Sequence, residues 1–234
     1  MDPNPCWVLE RWRGSAAVLH ARPMPSDGLR RLSVMEITRP AMVLGSAQRD
    51  DVLDPTRAHA LGIDVVRRHS GGGAVWLDPG NSVWLDVFVP RDDVLWSADI
   101  GRVFRWLGEA VAASLRGFGV AARVHPGGFS NSGVGQMVCF ASRGSGEVLV
   151  GDRKLVGISQ RRTRFGSRFQ LMWYSLWNPV PWMGLFDRGI WDKGPWSQVE
   201  SDVLTSGIGL QEIHGPRAAV SQVVDEVIAG LLRA

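Results

Sequence analysis

Strand-like and helix-like segments follow one another along this chain without the regular alternation that builds a doubly wound parallel sheet, and that irregularity restricts the fold most. Leu32 to Leu44 alternates apolar and polar residues around Pro40, and Pro55 to Leu61 reads as a short helix leading into Val65 and Val66. Ala74–Leu77 and Val83–Val89 are β-rich, and the turn-forming Asp78, Pro79, Gly80 and Asn81 between them predict a hairpin. Ile100, Val103, Phe104, Leu107, Val111, Leu115 and Phe118 recur at helical spacing, from about Ser97 to the stop near Gly117 and Gly119. Strand signals return at Val120–His125, Met137–Phe140, Val148–Val150, Leu155–Arg164 and Phe169–Trp177, and a helix over about Pro216 to Leu232 closes the chain. The class that fits is α+β: mixed β-sheets with packed helices.

At 234 residues the chain can bury one substantial core, so a single domain spanning 1–234 is expected. Its 45% hydrophobic and 21% charged residues exclude a disordered chain. No apolar run reaches the roughly 18 residues of a membrane span, and Met1 to Glu10 lacks the basic flank and apolar stretch of a leader. The expectation is a cytoplasmic protein without membrane attachment. Cys6 and Cys139 cannot build a disulfide framework, and no Cys/His spacing matches zinc. His20, His59, His69, His125 and His214 are scattered, so no metal site is expected. A net charge of +3 gives no global nucleic-acid footprint. Of 26 basic residues only Lys154 and Lys193 are lysines, so a lysine here marks a particular use.

Arg67-Arg68-His69-Ser70-Gly71-Gly72-Gly73-Ala74-Val75 stands between two strand signals and is followed by Asp78, Gly80 and Asn81. Consecutive glycines let the main chain approach a ligand and allow positive φ. Arginines ending a strand can meet a carboxylate or phosphate with forked hydrogen bonds. An acyl-phosphate or acyl-thioester suits this set, whereas a bare Gly-Gly-Gly would equally suit a tight turn. The spacing fits neither the dinucleotide glycine pattern nor the Walker loop.

The whole run, R-R-x-S-G-G-G-A-V-x-x-D-x-G-N, resembles the signature of lipoate–protein ligases and related octanoyltransferases. Gly151 to Gln160 is similar to that family's glycine–basic–lysine strand with its following G-x-[AS]-Q, and Leu44-Gly45-Ser46-Ala47-Gln48 resembles the strand end that helps wall the acyl site. The resemblance runs from about Ser33 to Arg164. It implies a biotin/lipoate-ligase type catalytic domain that attaches an octanoyl or lipoyl group to a lysine of lipoyl carrier domains, those of 2-oxoacid dehydrogenases or of a glycine-cleavage carrier protein. It also implies that Arg67, Arg68, Ser70, Gly71, Gly72, Gly73, Ala74, Asp78, Asn81, Gly157 and Ser159 bind the acyl or acyl-adenylate group. Lys154 inherits a place facing the acyl carbonyl, where an ammonium stabilises developing negative charge.

Cys139 lies fifteen residues before Lys154 in Cys-Phe-x6-Glu-x-x-Val-x-x-Arg-Lys. That spacing resembles the octanoyltransferases and amidotransferases that carry the acyl group on this cysteine, and Glu147 falls on the matching position. Transfer of this kind needs no cofactor and takes its donor from an acyl carrier protein; basic neighbours favour the thiolate that attacks a thioester. The alternative is an ATP-dependent ligase working through lipoyl-adenylate with Mg, in which Cys139 is a small hydrophobe beside Val138 and Phe140. About seventy residues after the last matched strand leave little room for the full C-terminal accessory domain many ligases carry, which favours the transferase. Two departures leave a degenerate relative open: Gly14 to His20 lacks the usual N-x-A-x-[DE], and Phe169-Gln170-Leu171-Met172 lacks the usual histidine.

Arg161, Arg162, Arg164 and Arg168 could dock an acidic carrier. With Phe165, Phe169 and Trp173 they also allow a nucleic-acid-binding module, although no nucleic-acid motif accompanies them. Trp173, Trp177, Trp182, Trp191 and Trp196 read as core or a cap, and Pro126 to Gly135 reads as a loop over the ligand.

Overall fold

The computed structural model describes residues 7–128, 133–215 and 220–233. Strands β1 (Trp7–Gly14), β2 (Arg30–Ile37), β3 (Ala41–Leu44), β4 (Asp64–Arg67), β5 (Val75–Leu77), β6 (Ser82–Pro90), β7 (Ala122–Val124), β8 (Val148–Val150), β9 (Arg153–Thr163) and β10 (Gly166–Tyr174) form two sheets. The larger has the order β1-β2-β6-β10-β9-β8-β7 and the smaller β4-β3-β5. Helices are α1 (Ala16–His20), α2 (Pro55–Ala60), α3 (Ile100–Gly117), α4 (Gly133–Met137), α5 (Val180–Met183), α6 (Trp196–Ser206), α7 (Leu210–His214) and α8 (Val220–Arg233). The class is α+β, as the irregular order of elements implies.

Alternation along β10 divides the core. Phe169, Leu171 and Trp173 pack towards the apolar stripes of α3 (Val103, Leu107, Val111, Leu115) and α8 (Val223, Val227, Leu231). Met172 and Tyr174 point the other way, towards the small sheet and a second cluster holding Met42, Leu77, Phe140, Trp177 and Trp182. The functional residues lie on this second face, between the sheets.

The structure corrects several local expectations. β5 and β6 do not form a hairpin: β5 pairs with β3 in the small sheet, and β6 pairs with β2 and β10 in the large one. The Asp78–Asn81 turn carries the chain from one sheet to the other, held by Asn81, whose amide donates to Leu176 O at 3.1 Å and accepts from Leu176 N at 2.9 Å. Met137–Phe140 is the end of α4 and a 3-10 turn, Cys139–Ala141, instead of a strand. Its apolar run is buried between elements, and burial alone does not set a strand period. α3 begins at Ile100 because the Asp99 carboxylate accepts from Arg102 N at 3.2 Å. β1 and α6 carry no signal strong enough to read beforehand. Cys6 and the predicted start of the last helix at Pro216 lie outside the described residues.

Candidate active site

Arg67 and Arg68 end β4, and the chain enters the glycine loop at once. Alternation turns the two guanidiniums in different directions. Half-exposed Arg67 donates to Gly45 O at 2.7 Å and Gln48 O at 2.6 Å and pairs with Asp50, so it braces the segment after β3. Arg68, 4% exposed, donates through Nη2 to Gly71 O at 2.7 Å and Gly73 O at 2.9 Å and so holds the loop from inside. Ser46 N donates to Ser70 O at 2.9 Å, and the Ser70 and Ser159 hydroxyls meet at 3.0 Å, tying the loop to β9.

The loop packs too closely for side chains. A Cβ on Gly45 would stand 1.9 Å from Gly72 O, and one on Gly73 would stand 2.7 Å from Cys139 N and from Gly135 O. Gly72 itself has φ +97°. This intimacy places the loop against the turn that carries Cys139. Ala74 N donates to Met137 O at 2.7 Å and Cys139 N donates to Ala74 O at 2.9 Å.

Cys139 is a half-buried free thiol. Behind it the Phe140 ring stacks on Trp177 at 5.0 Å and meets Tyr174 edge-on at 5.0 Å, so several of the crowded aromatics serve as its backing. Lys154 is almost fully buried, and its ammonium lies 2.8 Å from Glu147 Oε1, 2.8 Å from Glu147 Oε2 and 2.8 Å from the carbonyl oxygen of Cys139. The other Glu147 bond, from Gly144 N at 2.6 Å, closes the turn before β8. Lys154 is thus bonded to the backbone of Cys139.

A narrow slot opens between the sheets, lined by His20, Val43, Arg68, Val75, Leu77, Trp84, Cys139, Phe140, Gly157, Ile158, Ser159, Gln170 and Met172. Most of this wall is apolar, which suits an acyl chain, with Arg68, Ser159, His20 and Gln170 as its polar points. Gly157 keeps the slot open, since a Cβ there would meet Phe140 at 3.4 Å. A second, wider cleft is lined by Ala47, Gln48, Arg49, Gly72, Gly73, Gln136, Trp191, Asp192 and Lys193 among others. The Leu44–Gln48 segment therefore backs the glycine loop and this second cleft; Val43 just before it walls the slot.

Not every expected site residue gathers here. Arg68, Cys139, Gly157 and Ser159 line the slot, and Gly72 and Gly73 line the adjoining cleft. Ser70 and Ala74 are buried in the framework, Gly71 lies open to solvent, and Asp78 and Asn81 belong to the crossover turn between sheets. Burial pushes the Asp78 carboxyl above its ordinary range. The sequence reading missed His20 and Gln170; one polar residue inside the apolar β10 run was the available signal for Gln170.

His20 stacks on Trp84 at 4.5 Å, and its Nδ1 is 3.4 Å from Gln170 Nε2. Burial, then the charges of Arg68, His69 and Arg168, lowers its pKa to about 3. Asp86, beneath it, accepts from Trp84 Nε1 at 2.7 Å, and burial outweighs Arg168 in raising its pKa to about 6. The two groups oppose each other in acid. The raised Asp86 contributes stability that is present below its ordinary 3.8 and lost as pH rises through about 6. The depressed His20 contributes stability that is present above its ordinary 6.5 and lost as pH falls towards about 3. Asp86→Asn is therefore expected to steepen the loss of stability between pH 6 and pH 4, by on the order of 2 kcal/mol, and His20→Gln to flatten it. Urea unfolding across that range reads both, and slopes unchanged in both variants would contradict the assignment.

The arginines after β9's start do not form one patch. Arg168 is buried against Arg22 O and Pro23 O near Asp86, Arg162 donates to Ala98 O at 2.9 Å, and Arg164 stacks on Phe165. Phe169 and Trp173 are core residues, so of the three aromatics named with these arginines Phe165 alone is exposed. Among the described residues no cluster of three His, Cys, Asp or Glu is placed to hold a metal ion, and no helix is long and apolar enough to cross a membrane.

A family model for the lipoyl protein ligase A/B catalytic domain matches residues 17–175, which include the glycine loop, Cys139 and Lys154. Solved structures share the fold. A protein of T. acidophilum with bound lipoic acid superposes with a TM-score of 0.70 at 19% identity, over 97% of this chain and 84% of that one. A lipoate-protein ligase A bound with ATP gives 0.70 at 20%, over 97% and 83%. A bipartite lipoate protein ligase from Thermoplasma acidophilum, studied with its E2 lipoyl domain, gives 0.73 at 18%, over 97% and 82%. Comparison with curated proteins finds none that matches. The match over more than half of the chain, on the residues that build the loop and the slot, places this protein in the lipoyl protein ligase A/B catalytic-domain family of acyl-transferring enzymes.

Proposed function

We propose that this enzyme moves an octanoyl or lipoyl group to the lysine of a lipoyl carrier domain through an acyl-thioester on Cys139, with residues 1–234 acting as one catalytic domain. The observation that carries the reading is a free thiol lining a mostly apolar slot beside the glycine loop. Cys139 Sγ, as thiolate, attacks the thioester carbonyl of an acyl carrier protein, and the carrier leaves as a thiol. The acyl chain lies in the slot, and the Gly71–Gly73 main chain receives the carbonyl end. The amine of the acceptor lysine then attacks, an amide forms, and Sγ is released. Lys154 fixes the Cys139 turn through its backbone carbonyl, so its contribution is the position of Sγ. The acceptors that fit are lipoyl domains of 2-oxoacid dehydrogenases or a glycine-cleavage carrier protein, and the compartment that fits is the cytoplasm.

One observation favours the ligase reading as second choice. Arg49, Lys193 and Trp191 line the cleft on which Gly72 and Gly73 also open, cations and an aromatic that suit the phosphates and base of ATP, with Asp192 the one carboxylate among its described lining residues. There ATP with Mg would supply activation of a free acid, and Cys139 would be packing.

The test offers a lipoyl-domain acceptor either octanoyl–acyl carrier protein without ATP or lipoate with Mg-ATP. The expected result is modification from the carrier protein, lowered roughly a thousandfold or more in Cys139→Ala. Modification only from lipoate and Mg-ATP, equal in Cys139→Ala, would establish the ligase.

A further inference from the structure

We propose that Arg68, in place of Lys154, is the cation that serves the Cys139 thiolate and the acyl group it carries; the inference rests on the thioester reading above.

Lys154 is the expected partner by sequence, but its charge is already answered. Both oxygens of the buried Glu147 carboxylate lie 2.8 Å from Nζ, and the remaining direction is taken by the Cys139 carbonyl at 2.8 Å. An ammonium has three protons to donate, and three acceptors surround this one. The pair is close to neutral as seen from Sγ.

Arg68 is in the opposite state. It is 4% exposed and lines the slot. Its hydrogen bonds go to the carbonyls of Gly71, Gly73 and, at 3.5 Å, Val43, and none of the salt bridges among the described residues includes it. Its Nε is buried without a partner. Carbonyl dipoles satisfy N–H groups but do not cancel a full charge, so a buried guanidinium held this way calls for an anion. Gly72 relates the guanidinium to the nearby thiol. From the point where its Cβ would be, Arg68 Nη2 is 3.0 Å away and Cys139 Sγ is 3.7 Å away. The guanidinium and the sulfur therefore both border the space that any side chain at 72 would fill. The downward push of Arg68 on His20 reflects the same positive field in the slot.

The chemistry balances with Arg68 protonated throughout. Sγ forms a bond to the acyl carbon as the carrier's C–S bond breaks, and the carrier thiolate takes a proton from solvent. When the acceptor amine forms its C–N bond, the Cys139 C–S bond breaks, the thiolate returns to Arg68, and the amine proton goes to solvent. In each tetrahedral state the guanidinium is the nearby positive charge.

The test uses the full chain in a Cys6→Ala background, so that alkylation reports Cys139. With wild-type Arg68, the anionic iodoacetate is expected to gain at least threefold on neutral iodoacetamide relative to their rate ratio with glutathione. Arg68→Gln should lose that gain and slow iodoacetamide alkylation at pH 7 about tenfold, whereas Arg68→Lys, which loses the fork but keeps the charge, should stay within about threefold. Both variants disturb the loop alike, so equal losses in the two would overturn the proposal and leave Arg68 as scaffold. A wild-type ratio no higher than that of glutathione would overturn it without any variant. If wild type alkylates as expected but forms no octanoyl adduct, the thioester reading fails by itself and the electrostatic influence of Arg68 on Cys139 stands.

Discussion

Replacing Lys154 with Met is expected to cost the protein about 3–5 kcal/mol of stability, because it leaves the Glu147 carboxylate buried without its counter-charge. Glu147 would keep only Gly144 N as a donor, and the Cys139 carbonyl would keep only the donors of Ser142 in its own turn, Oγ at 2.9 Å and N at 3.2 Å. Lys154→Met combined with Glu147→Gln removes both charges and should recover at least half of the loss, since a neutral pair carries no such desolvation cost. Urea unfolding of the three proteins decides this. A single-variant loss below about 1 kcal/mol would mean that the ammonium does not sit between Glu147 and Cys139. Even when stability is recovered in the double variant, acyl transfer should stay low, because the Cys139 turn is no longer tied to β9.

Gly73→Ala should be nearly as damaging to activity for a steric reason. The new Cβ would lie 2.7 Å from two backbone atoms, Cys139 N and Gly135 O, and 2.8 Å from Val138 C. Backbone cannot rotate away as a side chain does, so either the glycine loop or the Cys139 turn must shift. Displacement of reacting groups by about 1 Å costs on the order of a hundredfold in rate, and overpacking adds about 1–3 kcal/mol of destabilisation. Gly71→Ala is the comparison for stability: nothing lies within 4 Å of its added Cβ, and the change should stay within about 0.5 kcal/mol. A Gly73→Ala enzyme that transfers acyl groups at the wild-type rate would refute the close packing of loop on turn.

The legible part of this molecule was whatever local pattern controls. The periodicity of α3 and the strand runs of β8, β9 and β10 could be read from apolar spacing, and the glycine loop and the Cys139–Lys154 interval from their motifs. Partner choice could not be. β5 and β6 look like a hairpin because their turn residues are favourable; nothing local says that Asn81 will latch onto Leu176, some ninety residues away, and send the strands to separate sheets. The same limit applies inside the site. Arg67 and Arg68 are identical residues side by side, yet strand alternation gives one a bracing role on Gly45, Gln48 and Asp50 and buries the other against the glycine loop. Lys154 stood out by the scarcity of lysine, but its bond to Glu147 became visible only when the β8–β9 turn brought the two together. His20 lies far from every motif in sequence and reaches the slot only through α1, which the absent N-x-A-x-[DE] pattern had marked as atypical.

A covalent acyl group on Cys139 would be seen in the intact mass of the enzyme after mixing with octanoyl–acyl carrier protein in the absence of ATP, followed by peptide mapping and a chase with a lipoyl domain. One octanoyl adduct is expected, mapped to Cys139, absent from Cys139→Ala, and discharged onto the acceptor lysine during the chase. An unmodified enzyme that nevertheless octanoylates or lipoylates the acceptor, or an adduct that never leaves the cysteine, would contradict it.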